Sequence, residues 1–169
     1  HTGATQAANE VMFDDYQYMG NDALDVTTDG RPIGPYTGPD QLRDEVRADH
    51  VASFLAEYRP EDRPLMLSVG FAKPHVDWVV PQEYFDLYPL DDIVLDGIAP
   101  NDTDDIAAYI LDTLGEHVPW TPEDATDIPT VKLLIQAYLA SISFVDAQIG
   151  KVLDEHLKVF HIETALNNR

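Results

Sequence analysis

A short apolar run between two prolines constrains the fold more than any other feature of this sequence. The residues from Leu65 to Phe71 are almost continuously apolar, and Pro64 and Pro74 bound them. Such a run is typical of a strand buried on both faces, as in a parallel sheet covered by helices. A helical pattern precedes it, so the sequence predicts an α/β fold with functional residues just beyond the carboxyl end of this strand.

Helical periodicity brackets the run on both sides. The spacing predicts one helix over residues 40–58, with Asp40 as its N-cap, and a longer helix from Thr130 to about residue 157. A short helix is expected near 105–114, whereas the turn-rich residues 1–39 predict irregular structure. The apolar faces expected to reach the core comprise Leu42, Val46, Val51, Phe54, Leu55 and Tyr58 in the first helix, and Ile135, Tyr138, Leu139, Ile142, Val145, Ile149, Val152 and Leu153 in the long one.

Composition excludes several classes of function. The 169 residues include 31 acidic and 10 basic side chains, which give a formal charge of −21. Without a basic excess, we expect the chain to bind neither nucleic acid nor an anionic membrane surface. It contains no cysteine, so disulfides, thiolate metal sites and a cysteine nucleophile are excluded. No run approaches the ~18 consecutive apolar residues of a membrane helix. The first residues show neither a Met nor a signal-peptide pattern, so we interpret His1 as a cut and not a natural start.

Lys73, Pro74 and His75 form the sharpest local chemical signal. A cation and an imidazole flank a proline just beyond the predicted carboxyl end of a buried strand. There they could contact an anionic ester, with His75 as the proton donor. Taken locally, a histidine that only closes a strand end explains the same residues. Surface carboxylates explain the acidic pairs better than a metal site does, because their spacing fits no calcium loop; the pairs are Asp14-Asp15, Asp91-Asp92 and Asp104-Asp105.

Two longer stretches share the pattern of one protein family. The first runs from Phe71 through Lys73-Pro74-His75 and an aromatic segment to Leu87-Tyr88-Pro89. The second, Tyr138 to Leu153, follows Y-x-A-S-[VI]-S-[FY]-[VL]-D-x-Q-[VI]-G. In this order and spacing they resemble the sulfatases, nearest the iduronate-2-sulfatase-like branch, and the resemblance is clearest over residues 40–153.

The resemblance implies a fold and a place within it. We expect part of the three-layer αβα sandwich of the alkaline phosphatase superfamily, with residues 1–169 an internal segment of a sulfatase catalytic domain. Residues 158–169 depart from the family pattern. His1-Thr2-Gly3 resemble the end of the family motif G-K-x-F-H.

The resemblance also implies a chemistry. Sulfatases hydrolyse sulfate esters with a formylglycine nucleophile, made from Cys or Ser in C/S-x-P-S-R, and a Ca²⁺ ion. His75 would protonate the leaving oxygen, His1 would lie beside the nucleophile, and Lys73 would bind substrate. Neither C/S-x-P-S-R nor the S-D-H-G ligand motif occurs here, so no metal ligand is named and the chain alone is expected to be inactive.

Three functions remain open at this point. The first is a segment of a sulfuric ester hydrolase, with a small-molecule or carbohydrate sulfate ester as substrate and an extracytoplasmic location. The second is a phosphoryl-ester hydrolase of the same superfamily, which shares the site plan. The third is a non-catalytic, acidic, sulfatase-like module.

Overall fold

The computed structural model describes residues 26–27, 30–59, 64–95 and 128–159. His1 and the helix expected near 105–114 lie outside these residues. The elements, in chain order, are strand β1 (Ile33–Tyr36), helix α1 (Arg43–Glu57), strand β2 (Trp78–Pro81), the one-turn helix α2 (Gln82–Phe85), a 3₁₀ turn (Leu90–Asp92) and the long helix α3 (Ile128–Val159).

The two strands and α1 form a β–α–β unit. β1 and β2 pair in parallel, with Ile33 opposite Trp78 and Tyr36 opposite Pro81. α1 lies between them in the chain, as a parallel connection requires. This unit confirms the α/β class in its coarse form; the complete three-layer sandwich stays a prediction.

Helix α1 confirms the predicted helix, with a different start. It begins at Arg43, and its N-cap is Leu42 where Asp40 was expected. The Glu45 carboxylate accepts a hydrogen bond from the Leu42 backbone N–H at 2.8 Å, so a side chain within the first turn satisfies an amide that the helix leaves free. The helix ends at Glu57, just before Arg59-Pro60, as the sequence predicts.

The prediction of a buried strand over Leu65–Phe71 is wrong for the structure described. Residues 64–72 form neither helix nor strand, and Met66 is 80% exposed. Among the described residues no strand lies beside this segment, and a strand needs a hydrogen-bonded neighbour. Leu65 and Phe71 pack instead against Leu55 and Val152, and the segment lines an open apolar groove of about 450 Å³.

The strands that the structure does contain were missed. β1 lies within the region predicted to be irregular, because Gly34 and Pro35 suggest a turn; Gly34 indeed has a positive φ of 134°. β2 begins three residues after His75. Lys73-Pro74-His75 therefore precede the amino end of a strand, and their predicted place after a strand's carboxyl end is also wrong.

Helix α3 supplies more buried residues than any other element described, through a face that coincides only in part with the one predicted. Its buried residues are Ala137, Ala140, Ser141, Phe144, Val145, Gln148 and Val152. Val145 and Val152 are buried as predicted, whereas four other residues of the predicted face are 38–53% exposed, namely Tyr138, Ile142, Ile149 and Leu153. Small residues at Ala137 and Ala140 let α3 approach β2 and α2 closely, and Phe144 fills the space beside Val80 and Phe85.

Within the described residues, α3 is the helix long and apolar enough to cross a membrane. An 18-residue window within it reaches a mean hydropathy of 1.5. Core helices of water-soluble proteins meet the same criterion, and one side of α3 packs on α1 and β2. Length and composition alone therefore do not assign α3 to a membrane.

Candidate active site

Lys73-Pro74-His75 lie in a tight loop that leads from the apolar segment into β2. The His75 backbone N–H donates to the Ala72 carbonyl at 3.0 Å and closes a turn around Lys73 and Pro74. The peptide bonds Lys73–Pro74 and Val76–Asp77 are both cis. At the exit, the Trp78 indole Nε1 donates to the Pro74 carbonyl at 2.8 Å. The loop is therefore tied to itself at several points, and His75 lies at its surface.

His75 is exposed, and the backbone engages one of its ring nitrogens. The side chain is exposed, and its Nδ1 contacts the backbone carbonyl of Val76. A carbonyl oxygen only accepts hydrogen bonds, so Nδ1 carries the proton in this contact. Nε2 is then the nitrogen that can give or take a proton at the surface. This orientation suits a proton donor to a group bound outside the loop.

Lys73 lies inside the same loop. The side chain is only 4% exposed, and its ammonium donates to the Asp77 backbone carbonyl at 2.5 Å. Asp77 is also buried, and its Oδ2 has no hydrogen-bond partner among the described residues. The interior of the loop thus holds one positive and one negative side chain, while His75 faces outward.

A buried carboxylate that the sequence analysis missed holds the start of the loop. Asp44, in the first turn of α1, accepts hydrogen bonds from the backbone N–H groups of Ala72, at 2.8 and 3.0 Å, and Lys73, at 2.8 Å. Arg47 Nη1 contacts the same carboxylate at 2.9 Å. Nothing in the local sequence separates Asp44 from the other acidic residues of this chain. The two backbone N–H groups that donate to Asp44 lie 28 and 29 positions away in the sequence.

The second family-like stretch packs against the first. The Tyr88 hydroxyl and Ser143 Oγ share a hydrogen bond of 2.6 Å, and Gln136 Nε2 donates to the Tyr88 carbonyl at 2.7 Å. The Trp78 and Tyr138 rings meet edge to face, with centroids 5.5 Å apart. Residues on α3 therefore hold both ends of the segment that follows the His75 loop.

Two ionisable groups flank this packing, and their pKa values shift in opposite directions. A hydrogen bond from Gln41 lowers the pKa of Asp49, helped by the Lys151 ammonium 3.1 Å away and opposed by partial burial. Burial raises the pKa of Tyr84, and the nearby Glu83 and Glu45 carboxylates add to that effect. Asp49–Lys151 links α1 to α3, and the Tyr84 ring packs on Phe144 in the core.

Comparison with curated proteins gives a consistent result. The chain is 43% identical over 94 residues to a protein named sulfatase from Formosa agariphila, covering 54% of this chain and 18% of that protein. It is 30% identical over 123 residues to human iduronate 2-sulfatase, covering 66% of this chain and 22% of the human protein. The mouse iduronate 2-sulfatase is 29% identical over 135 residues, covering 71% and 24%.

The chain is therefore similar to part of proteins that are named as sulfatases. It spans about a fifth of the length of the curated sulfatases it matches. No protein-family model matches the chain.

The described residues offer no site for a bound metal ion, and the sequence offers none for a formylglycine. Within residues 26–27, 30–59, 64–95 and 128–159, no group of three His, Asp or Glu side chains could hold a metal ion. The sequence contains no C/S-x-P-S-R from which formylglycine could be made. We therefore derive no catalytic step that involves either group. His1, expected beside the nucleophile, lies outside the described residues.

Proposed function

We propose that this chain forms part of the active site of a sulfate-ester hydrolase, in which His75 protonates the leaving oxygen. The observation that carries the proposal is the exposure of His75 together with one contact: the side chain lies at the surface of the loop, and the Val76 carbonyl holds its Nδ1. The names of the relatives, sulfatase and iduronate 2-sulfatase, support the class of reaction.

The proposed step is a single proton transfer. As the S–O bond of the ester breaks, negative charge develops on the oxygen that leaves. Imidazolium His75 gives its Nε2 proton to that oxygen and becomes neutral, so an alcohol leaves in place of an alkoxide. The Val76 carbonyl keeps the other ring proton on Nδ1 and fixes the tautomer.

Lys73 is proposed to assist substrate binding, and the remaining groups must come from outside the described residues. The Lys73 ammonium is buried in the same loop as His75, where its charge favours an anionic ester nearby. His1 is proposed to act beside the nucleophile. A nucleophile and metal ligands would have to be supplied by other parts of the protein.

We also propose a substrate class and a location, which the names of the relatives support. Iduronate 2-sulfatase is named for a sugar acid, which favours a sulfated carbohydrate as substrate. Such substrates favour an extracytoplasmic protein.

The test uses the complete open reading frame that contains this sequence. Its DNA should encode C/S-x-P-S-R, and its product should hydrolyse an aryl sulfate in the presence of Ca²⁺. His75→Ala should lower kcat by ~10²–10⁴, the usual contribution of general acid–base catalysis. His50→Ala, at an exposed histidine of α1, is the matched control and should leave activity unchanged.

Two results would contradict the proposal. Faster hydrolysis of a phosphate ester than of a sulfate ester would identify a phosphoryl-ester hydrolase. A reading frame without C/S-x-P-S-R whose product does not turn over sulfate esters would identify a non-catalytic module.

A further inference from the structure

Asp44 is buried where a helix normally exposes its acidic residues. Aspartate in the first turn of a helix interacts favourably with the helix dipole while its carboxylate remains in water. Asp44 is instead 1% exposed, and its carboxylate points away from the α1 backbone toward the loop. Taking a carboxylate out of water is costly unless charge-assisted hydrogen bonds replace the lost hydration. Stabilisation of α1 alone does not explain this placement.

The hydrogen bonds that replace the lost hydration come from the His75 loop. Two consecutive backbone N–H groups, of Ala72 and Lys73, donate to the Asp44 carboxylate. Arg47, one turn further along α1, donates a charged hydrogen bond to Oδ1 of the same carboxylate. Two donors from neighbouring peptide groups fix both the position and the direction of the backbone, which one bond would not do.

The anchored residues, Ala72 and Lys73, fix the position of the turn that carries His75. Ala72 donates its N–H to Asp44 and accepts the His75 N–H with its carbonyl. That carbonyl belongs to the same peptide group as the Lys73 N–H, which also donates to Asp44, so the anchor and the turn that carries His75 share a peptide unit. Displacing Ala72 would displace this turn as a unit. A proton donor must lie within hydrogen-bond reach of its target, so displacement reduces the rate more than it reduces binding.

We propose that Asp44 is a positioning residue for His75: through the backbone N–H groups of Ala72 and Lys73 it holds the loop at the distance and angle at which His75 reaches the leaving group. The catalytic consequence rests on the proposed function of His75, whereas the anchoring itself does not.

The anchoring is tested on the 169-residue chain by NMR. Asp44→Asn keeps the shape of the side chain but removes its charge and replaces one acceptor oxygen with an NH₂ group that faces the donors. Amide exchange at Ala72 and Lys73 should then become at least ~10-fold faster, because weaker hydrogen bonds leave these N–H groups open to solvent for more of the time. The ring C–H signals of His75 should shift.

Asp49→Asn is the matched control, because Asp49 is on the same helix with a carboxylate that bonds Gln41 and Lys151 at the surface. It should leave the Ala72, Lys73 and His75 signals unchanged. Unchanged protection in Asp44→Asn, or equal changes in both variants, would overturn the anchoring. If Asp44→Asn does not fold, a long-range HNCO experiment on the unaltered chain should show a coupling between the Lys73 amide and the Asp44 carboxylate carbon; its absence would overturn the proposal.

The positioning role is tested by kinetics of the complete reading frame. Asp44→Asn should lower kcat by ~10²-fold, as expected for a displacement of about 1 Å, with a smaller change in KM. Asp44→Glu, which keeps the charge but lengthens the side chain, should give an intermediate loss. If Asp44→Asn releases the loop and keeps its kcat, whereas His75→Ala loses activity, Asp44 does not position His75. If His75→Ala is fully active as well, the proposed function has failed and the anchoring result stands alone.

Discussion

Replacing Phe144 with alanine should destabilise the fold far more than replacing Ile142, two residues earlier on α3. Phe144 is fully buried, and its ring packs edge-on against Tyr84 with centroids 5.4 Å apart. Ile142 remains 38% exposed. The periodicity of the sequence suggests the opposite result, because Ile142 belongs to the predicted apolar face.

The expected difference follows from burial. Phe→Ala in a closed core costs about 3–5 kcal/mol, since the lost transfer free energy is added to the cost of the cavity. Full burial of Ile stabilises by about 1.5–3 kcal/mol. Ile142 achieves roughly three fifths of that burial and water can fill the space it leaves, so its loss should cost about 1–2 kcal/mol. The free energies of unfolding of the two variants should therefore differ by about 1–4 kcal/mol, with Phe144→Ala the less stable.

Urea unfolding followed by far-UV circular dichroism measures this difference. The experiment is best done in 1 M NaCl, where a Debye length of ~3 Å screens the repulsion within a chain of charge −21. If Phe144→Ala does not fold, Phe144→Leu should still cost more than Ile142→Ala. Equal losses, or a larger loss for Ile142→Ala, would show that the other face of α3 forms the core.

Three further predictions concern the helix contacts and the isolated chain. Asp49→Asn should lower the free energy of unfolding by only ~0.5 kcal/mol, because the ion pair between Asp49 and Lys151 is half exposed. Folding lowers the pKa of Asp49 below 3.8, so this loss of stability should be seen above pH 3.8. It should fade as the pH falls through the pKa that Asp49 has in the folded state. In a double-mutant cycle, Tyr88→Phe and Ser143→Ala should show a coupling of about 1 kcal/mol, that of one hydrogen bond. The purified 169-residue chain should not hydrolyse an aryl sulfate with Ca²⁺ present, because it carries no C/S-x-P-S-R.

Each of these predictions has a result that contradicts it. A stability difference for Asp49→Asn that persists at pH 2 or resists high salt would show that the ion pair is not its cause. Additive losses in the cycle would mean that the two hydroxyl groups act independently. Turnover by the chain above that of a His75→Ala control would show that the sequence does contain a nucleophile.

Local patterns in the sequence predicted α1 and α3 but not the pairing of the strands. The apolar periodicity and Arg59-Pro60 fix α1 to within three residues at its start and one at its end. Gly34 and Pro35 disguise β1, which forms because β2 supplies its hydrogen bonds. The run at 65–71 has the composition of a strand but no neighbouring strand among the described residues. Pairing depends on what lies alongside a segment, and the composition of the segment does not contain that information.

The site divides in the same way. A cation, a proline and an imidazole in sequence identify the loop, so Lys73 and His75 could be proposed without a structure. Asp44 could not, because its role depends on contacts across 28 residues and one carboxylate among 31 acidic residues gives no local signal. The role of a buried aspartate at the start of a helix can be recognised only when the position of the backbone that it binds is known.

The dependence of the His75→Ala defect on the leaving group tests the central claim most directly. The measurement compares kcat of the complete enzyme and of His75→Ala on an alkyl sulfate and on a nitrophenyl sulfate. If His75 protonates the leaving oxygen, the alkyl sulfate should lose ~10²–10⁴ in kcat, and the nitrophenyl sulfate should lose much less because its oxygen leaves readily without a proton. Equal losses on both substrates, accompanied by a lower melting temperature, would show that His75 only stabilises the loop.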